Sequence, residues 1–333
     1  MDATTPLLEV EGLKVEFKTR RGIAKVLEGV TFNLEPGKTL GIVGESGCGK
    51  SMTALSIMRL VPIPPGRISA GSIRLKGEDL LQASEKRMRQ VRGKDISMIF
   101  QEPMTSLNPV YSIGDQIAET VRVHEGLSRR AAFDRAVEML KAVNIPAAEK
   151  RVNEFPHQMS GGMRQRVMIA MALACRPSVL IADEPTTALD VTVQAQVFDL
   201  LKELQEKTGT TIILITHDMG AIAEMADRVM VMYAGRAAEE ATTEQILTAP
   251  KHPYTQGLIA CVPHMADKPP PERPPLTEIP GVVPALTDLG SGCSFAPRCP
   301  HAMDHCHSQM PQPQELGGGH RVACWLYQEG AVA

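Results

Sequence analysis

The chain has 333 residues, 43% of them hydrophobic, with 35 basic and 38 acidic side chains and a formal net charge of -3. This balance excludes the broad basic surface of a protein whose main partner is nucleic acid. The length predicts one large domain with an appendage, or two domains, and the hydrophobic content is sufficient for a core.

The N-terminal residues 1–6 contain neither the basic nor the apolar region of a signal peptide. The longest strongly apolar run, residues 167–175, is much shorter than the ~20 residues that span a bilayer. We therefore expect a cytoplasmic protein, even if it works at a membrane. Residues 7–35 then alternate between apolar and polar side chains, which predicts antiparallel strands.

The first chemical motif is a glycine-rich loop between an apolar run, residues 39–43, and a helical pattern, residues 52–60. The loop sequence GESGCGKS fits the phosphate-binding pattern G-x-x-x-x-G-K-S/T at every fixed position. Glycines let backbone N–H groups point at phosphate oxygens, Lys50 would reach the β- and γ-phosphates, and the Ser51 hydroxyl would bind Mg²⁺. The strand–loop–helix context favours this interpretation over an ordinary glycine turn. The predicted ATP-binding positions are Gly44, Glu45, Ser46, Gly47, Cys48, Gly49, Lys50 and Ser51.

Strand and helix signals alternate through the rest of the first 260 residues. Residues 113–150 show a helical pattern with one apolar face, and a second helix is predicted from Ser160 to about Cys175. Two short apolar runs, residues 179–182 and 211–215, flank an amphipathic helix. This alternation predicts an α/β fold with a mostly parallel sheet.

The apolar run 179–182 ends in two carboxylates, Asp183 and Glu184. In P-loop ATPases the aspartate at this strand end completes the Mg²⁺ site, and the next residue is placed to act as a general base on the attacking water. Solvated acids at a strand end are common. The position about 130 residues after Lys50, in an α/β chain, is what favours the catalytic interpretation.

Residues 159–166, MSGGMRQR, lie between these two sites. Ser160, Gly161 and Gly162 would present free N–H groups at a helix N-terminus, which makes a second anion site, although a plain helix cap explains the three residues equally well when they are taken alone. The stretch resembles the LSGGQ signature of ABC-transporter ATPases, with Met163 where glutamine is commonest. In that family two such domains close head to tail, so the resemblance implies a second ATPase subunit, which we expect to be a different chain.

Further positions match the same family in the same order. Gln101 matches the Q-loop glutamine that contacts Mg²⁺ and water, and residues 188–190, which include Asp190, match the D-loop. His217 matches the histidine that holds the γ-phosphate, although a lone histidine is more often a core residue. Phe17 is a candidate for stacking on adenine, and a core phenylalanine is an equally good interpretation.

The resemblance covers about residues 7–260 and implies the ABC ATPase cassette, with a mixed sheet core, an antiparallel β subdomain and a helical subdomain at about 105–175. It implies ATP and Mg²⁺ as cofactors, with Ser51, Gln101 and Asp183 at the metal and Glu184, His217 and Gln101 in catalysis. A single cassette with no long coiled coil and no membrane domain excludes the repair, translation and exporter classes of ABC protein.

Residues 100–109 (FQEPMTSLNP), the SGGMRQR form of the signature and residues 252–256 (HPYTQ) resemble the oligopeptide/dipeptide importer subfamily. This implies a peripheral subunit on the cytoplasmic face of a bacterial inner membrane, which works with two permease subunits and a periplasmic substrate-binding protein. Nickel or glutathione importers are related alternatives. A non-transport regulatory ATPase, or a redox module in which ATP only switches conformation, also remains open.

Residues 1–260 are thus predicted to form the nucleotide-binding domain, and residues 261–333 a proline-rich linker followed by a cysteine-rich module. Four thiolates suffice for zinc or a 4Fe–4S cluster, and a reducing cytoplasm argues against disulfides. The lack of close C-x2-C pairs disfavours a zinc ribbon, and the importer resemblance favours the cluster. A zinc site with His301, His305 or His307, or unligated thiols, stays open. The predicted ligands are Cys293, Cys299, Cys306 and Cys324.

Overall fold

The computed structural model describes residues 6–101, 106–187, 190–262 and 278–328. The strands are β1 (Leu8–Thr19), β2 (Gly22–Leu34), β3 (Thr39–Val43), β4 (Gly66–Leu75), β5 (Glu78–Asp79), β6 (Ile96–Ile99), β7 (Val179–Asp183), β8 (Thr211–Ile215), β9 (Arg228–Tyr233), β10 (Arg236–Thr242), β11 (Gln314–Glu315) and β12 (Arg321–Val322). The α-helices are α1 (Lys50–Ile57), α2 (Glu85–Val91), α3 (Ile113–Glu125), α4 (Arg129–Ala142), α5 (Ala148–Arg151), α6 (Gly161–Leu173), α7 (Val191–Thr208), α8 (Met219–Met225), α9 (Thr243–Thr248) and α10 (Pro253–Ala260).

An eight-stranded sheet in the order β11-β12-β10-β9-β3-β8-β7-β6 forms the centre of the molecule. Strands β6, β7, β8, β3 and β9 are parallel, and β10, β12 and β11 continue the sheet in antiparallel pairing. Every residue of β3, β7 and β8 is buried, as expected for parallel strands that are covered on both faces. The predicted α/β fold is confirmed, and the carboxyl ends of β3, β7 and β8 meet at one edge of the sheet.

A second, antiparallel sheet has the order β2-β1-β4-β5. The alternation seen over residues 7–35 corresponds to β1 and β2, which pair along most of their length. Leu8 and Val10, and after an irregularity in the strand Leu13 and Val15, are buried in a core shared with β3 and α1. The sheet therefore packs against the strand that leads into the glycine-rich loop.

Helices α3, α4 and α6 lie between β6 and β7 in the sequence. They pack against one another. Serine side chains at positions 112, 128 and 160 accept backbone N–H bonds at the start of these helices and so satisfy donors that the helix leaves free. Helix α4 buries Ala132, Ala136 and Leu140 on one face, which is the periodicity that the sequence predicts. None of the helices in the described part of the chain is long and apolar enough to cross a membrane.

Helix α1 is shorter than the predicted residues 52–60 and ends at Ile57. Arg59 adopts a left-handed backbone conformation, with φ 50°, which stops the helix before Pro62. The Arg59 guanidinium then donates to the carbonyls of Leu80 and Ala83. The backbone N–H groups of Arg59 and Leu60 donate to the carbonyls of Ser56 and Leu55, so the helix is closed locally before Pro62 is reached.

The C-terminal segment is joined to the rest of the chain through the edge of the large sheet. Strand β12 pairs with β10, so that Glu239 lies opposite Val322 and Glu240 opposite Arg321. The buried Glu239 carboxylate accepts the N–H groups of Lys251 and His252 and bonds the His320 Nε2 at 2.7 Å. This pairing was not predicted from the sequence, and the proline-rich residues 268–275 lie outside the described residues.

Candidate functional site

The glycine-rich loop connects the carboxyl end of β3 to the N-terminus of α1. Gly44 has φ 149°, and a Cβ atom at this position would lie 2.2 Å from the Met232 carbonyl oxygen. Gly49 has φ 106°, and a Cβ atom there would meet Leu27 and the Val26 carbonyl. The loop thus uses glycine because of both its backbone conformation and its close packing. The backbone of residues 44–49 is held against the sheet, as a phosphate-binding loop requires.

The Lys50 side chain folds back over this loop and is 6% exposed. Its Nζ donates to the carbonyl oxygens of Gly44 at 2.7 Å and Glu45 at 3.1 Å. These oxygens hold the ammonium where incoming phosphate oxygens would meet it. This position is consistent with the predicted role of Lys50 as a phosphate ligand, because the two carbonyl oxygens that it bonds are neutral and can be exchanged for charged phosphate oxygens.

Ser51 and Asp183 bring two oxygen ligands together beside the loop. The Ser51 Oγ donates to Asp183 Oδ1 at 3.0 Å. Burial raises the pKa of Asp183, and the neighbouring Glu184 charge raises it further, while the Ser51 hydrogen bond acts in the opposite direction. A bound cation would offset the free-energy cost of burying the charged Asp183 carboxylate. Hydroxyl and carboxylate oxygens are the ligands that Mg²⁺ prefers, so the residues fit the predicted metal site.

Glu184 is the first residue after β7 and has a positive φ of 45°. Its Oε2 accepts hydrogen bonds from Gln101 Nε2 at 2.8 Å and Thr187 Oγ1 at 3.0 Å, and its Oε1 lies 3.5 Å from His217 Nδ1. The structure thus brings together the three residues predicted for catalysis. Thr187 was not predicted, since a threonine near a carboxylate has no distinct sequence signal.

A cleft of about 640 Å³ lies next to these groups. Its lining includes Gly44 and Glu45 of the phosphate-binding loop together with Glu184, Thr216 and His217. His217 follows β8 and its side chain is 72% exposed, so the imidazole is free to reach into the cleft. The loop, the carboxylate and the histidine therefore face one space that can admit a polyphosphate and a water molecule.

The predicted second anion site is the N-terminus of α6. Ser160 caps the helix by accepting the N–H of Met163 at 3.3 Å, and Gly161 has open space where a side chain would be. Gly162 packs against Val193, in the first turn of α7. Asp190 caps α7 by accepting the Val193 N–H, while residues 188 and 189 of the predicted D-loop lie outside the described residues.

Phe17 lies on β1 opposite Gly66 of β4 and is half-buried against it. Its ring occupies the space that a side chain at position 66 would need, since a Cβ atom there would lie 2.8 Å from Phe17 Cζ. This packing leaves part of the ring accessible. A role in stacking on adenine therefore stays a prediction.

The four C-terminal cysteines line one small cavity of about 20 Å³, together with Phe295 and Trp325. Backbone N–H groups donate to two of their sulfurs, from His301 to Cys299 Sγ and from Met303 to Cys306 Sγ, each at 3.4 Å. Burial, together with the neighbouring thiols, raises the pKa of Cys324 to about 11, although the backbone hydrogen bond from Leu326 acts in the opposite direction. Within the described residues, however, no three His, Cys, Asp or Glu side chains are placed to hold a single metal ion.

Two residues at this site carry no local sequence signal for it. The buried Tyr254 accepts the backbone N–H of Glu45 through its Oη at 2.9 Å. Arg298 forms a bidentate ion pair with the Glu45 carboxylate, with N–O distances of 2.7 and 3.1 Å. Both contacts reach the phosphate-binding loop from the C-terminal part of the chain.

His252 is expected to make folding stability fall at acidic pH. Its side chain is buried, its Nδ1 accepts the Tyr254 N–H at 3.0 Å, and burial lowers its pKa from 6.5 to about 4, despite the nearby Glu239 charge. Between these values the unfolded chain binds a proton that the folded chain does not. The free energy of unfolding should therefore fall by up to about 1.4 kcal/mol per pH unit as pH drops through this window.

The His252→Asn variant tests this prediction, because asparagine can still cap α10 but does not titrate. Urea denaturation of both proteins at several pH values from about 7 to about 4.5 should give a shallower pH dependence for the variant. Equal slopes would contradict the assignment of this titration to His252.

Comparison with known proteins gives two matches to families. Residues 27–187 match the ABC transporter family, and residues 238–306 match the oligopeptide/dipeptide transporter C-terminal region.

Among curated proteins, the chain is 52% identical over 331 residues to the oligopeptide transport ATP-binding protein OppD of Bacillus subtilis, with 99% of this chain and 92% of that protein covered. It is 49% identical over 325 residues to the dipeptide transport ATP-binding protein DppD of Bacillus subtilis, with 98% and 96% covered.

Among solved structures, the chain is similar to an ATP-binding cassette determined as a dimer with ADP and Pi. The TM-score is 0.64 and the identity 27%, over 71% of this chain and 98% of that one. It is also similar to cbiO1 of Clostridium perfringens, part of the cbiONQ transporter complex, with a TM-score of 0.62 and 28% identity over 73% and 91% of the two chains.

Proposed function

Because this chain belongs to the ABC transporter ATPases and also carries the oligopeptide/dipeptide C-terminal region, we propose that it is the ATP-hydrolysing subunit of a bacterial importer for short peptides. The observation that carries this proposal is the convergence of the phosphate-binding loop, the Ser51–Asp183 pair and Glu184 at one edge of the sheet. The relatives named for oligopeptide and dipeptide transport match nearly the whole chain, including the C-terminal region.

In the proposed reaction ATP lies along the loop, with its phosphates bonded by the N–H groups of residues 44–51. Lys50 exchanges the Gly44 and Glu45 carbonyls for phosphate oxygens. Ser51, Asp183 and Gln101 would hold Mg²⁺, which would neutralise charge on the phosphates. Most of the acceleration comes from this positioning and charge stabilisation, because phosphoryl transfer needs little covalent help.

Glu184 is proposed to orient the attacking water and accept its proton. Gln101 and Thr187 fix the Oε2 of this carboxylate, which leaves Oε1 toward His217 and the cleft. His217 would then hold the γ-phosphate from the opposite side of the water. Phe17 is proposed to stack on the adenine ring.

The second half of each ATP site would come from another ATPase subunit. Ser160, Gly161 and Gly162 present the N-terminus of α6 at an exposed surface, with the positive end of the helix dipole. The phosphate-binding loop of this chain already has a helix N-terminus beside it, that of α1. The N-terminus of α6 is therefore available to contact ATP that is bound to a partner subunit. We propose a head-to-tail pair with a different ATPase chain.

Two permease subunits and a periplasmic binding protein complete the proposed importer, which places this chain on the cytoplasmic face of the inner membrane. Phe100, Val110 and Tyr111 are exposed apolar side chains close to Gln101 in the sequence. Exposed apolar side chains are suited to contact with a permease helix, because docking would bury them. Gln101 would then connect the bound nucleotide to the permease.

We also propose that the four C-terminal cysteines bind a 4Fe–4S cluster that stabilises the C-terminal module and has no redox turnover. The cavity that they share and the N–H bonds to two of the sulfurs support this. The sulfurs of a tetrahedral zinc site lie roughly 3.8 Å apart, as Zn–S bonds of ~2.3 Å require. A cluster binds each sulfur through a different iron and so accepts sulfurs that are spaced more widely.

The transport function can be tested by uptake of labelled dipeptides, oligopeptides, nickel and glutathione in the source bacterium. Deleting the gene should abolish uptake of peptides only, and the wild-type gene should restore it. Loss of nickel or glutathione uptake instead would assign the chain to a related importer. Unchanged uptake of all four, with ATPase activity that no permease alters, would support a regulatory ATPase.

A further inference from the structure

Arg298 is a buried arginine in the C-terminal segment, at the end of the one-turn helix Ala296–Arg298 and directly before Cys299. Its side chain is 4% exposed, and its anionic partner is Glu45, in the phosphate-binding loop. The guanidinium also donates to the carbonyls of Ile279 and Pro280, at 3.1 and 2.8 Å. A guanidinium held in this way has one orientation, because most of its N–H donors have fixed acceptors.

Glu45 links several parts of the nucleotide site. Its carbonyl oxygen accepts Lys50 Nζ at 3.1 Å and the Cys48 N–H at 3.3 Å, while its own N–H donates to Tyr254 Oη. The carboxylate is bonded to Arg298 through both oxygens. Residues outside the phosphate-binding loop therefore hold Glu45 both at its backbone N–H and at its side chain.

The fold of the C-terminal segment fixes the position of Arg298. Phe295, one turn earlier, packs its ring against Tyr233 and Tyr254, with centroid distances of 5.2 and 5.4 Å. The Cys293 N–H donates to the Cys306 carbonyl at 2.7 Å, which closes the same loop. Arg298 is thus held in place by this folded segment, and through the ion pair it restrains the Glu45 side chain.

We propose that Arg298 is a positioning residue for ATP binding: by pairing with Glu45 it sets the shape of the phosphate-binding loop. This inference rests on the proposed ATPase function and adds a role for the C-terminal segment in it. Arg298 also neutralises a carboxylate that would otherwise lie beside the triphosphate. Loosening the loop and exposing this charge should both weaken ATP binding, while the groups that act on the γ-phosphate stay in place.

The Arg298→Gln variant should raise KM for ATP about tenfold, equivalent to ~1.4 kcal/mol of lost binding, with kcat changed less than about twofold. Arg298→Lys should give an intermediate KM, because lysine keeps the charge but not the bidentate geometry. The matched control is Arg321→Gln. Arg321 lies in the same C-terminal segment but pairs with Glu240 of β10 rather than with the phosphate-binding loop, so the KM of this variant should equal that of the wild type.

The Glu45→Gln variant separates positioning from simple charge. It removes a negative charge near the phosphates, which alone would lower KM, whereas loss of the bidentate pair should raise KM about threefold or more. An unchanged or lower KM in this variant would overturn the proposal, as would a folded Arg298→Gln protein with a KM within twofold of wild type. Wild-type protein that binds no ATP would instead refute the proposed function, and this inference with it.

Discussion

The Glu184→Gln variant is expected to bind ATP like the wild type and to lose ATP hydrolysis by roughly 10²–10⁴-fold, the range of a general-base contribution. Glutamine keeps an oxygen that can accept the bonds from Gln101 and Thr187, but it cannot take a proton from water. The phosphate-binding loop and the Ser51–Asp183 pair are unchanged. Binding and turnover should therefore separate, and titration with a fluorescent ATP analogue alongside a phosphate-release assay would measure both.

The same variant should also trap the closed pair of ATPase subunits, because ATP bound between the phosphate-binding loop and the N-terminus of the partner's helix would not be hydrolysed. Size-exclusion chromatography with the partner subunit and ATP should show a persistent complex. Glu206→Gln, on the exposed face of α7, is the matched control and should turn over ATP normally. Full ATPase activity in Glu184→Gln would remove this residue from its proposed role.

The sequence was informative wherever a functional residue follows directly from a local pattern. Strands β3 and β7 are short, continuously apolar runs, and the reactive groups come directly at their carboxyl ends. Parallel strands place those ends at one edge, so Lys50, Ser51 and Asp183 could be assigned to one site before their contacts were known. The hydrogen bond between Ser51 and Asp183 is consistent with this assignment.

The contacts that the C-terminal segment makes could not be predicted in this way. Arg298 and Glu45 are 253 positions apart, and Tyr254 and Glu45 are 209 apart. In the sequence Arg298 is like any arginine in a loop, because ion pairing at such separation leaves no periodic pattern. Strands β11 and β12 have two residues each and pair at the edge of a sheet, which is too short for alternation to be visible.

The cysteine cavity lies between these two cases. The spacing of the four cysteines indicated a common site, and the structure places them around one cavity, with Cys306 and Cys324 buried. Spacing alone does not give the distances between sulfurs, and these distances decide between one ion and a cluster.

Replacing Cys306 with serine should abolish the broad visible absorbance that we expect of anaerobically purified wild-type protein. Cys306 is 8% exposed, lines the cavity and accepts the Met303 N–H through its sulfur. A serine hydroxyl is a much poorer ligand for iron than a thiolate, so the bound iron should fall together with the absorbance. Absorbance spectra and iron and sulfide analysis of the same preparations would measure the loss.

Cys261→Ser is the matched control, because Cys261 lies at the end of α10 and lines the nucleotide cleft rather than the cysteine cavity. It should keep the full absorbance and iron content of the wild type. A colourless wild type with stoichiometric zinc would replace the cluster with a zinc site. A metal-free wild type in which all seven cysteines react with Ellman's reagent after unfolding would leave the four cavity thiols unligated. If the wild type and Cys261→Ser both contain the cluster and Cys306→Ser does not, the cluster lies in this cavity, because loss of a thiol that lines the cavity removes the iron and loss of a thiol outside it does not.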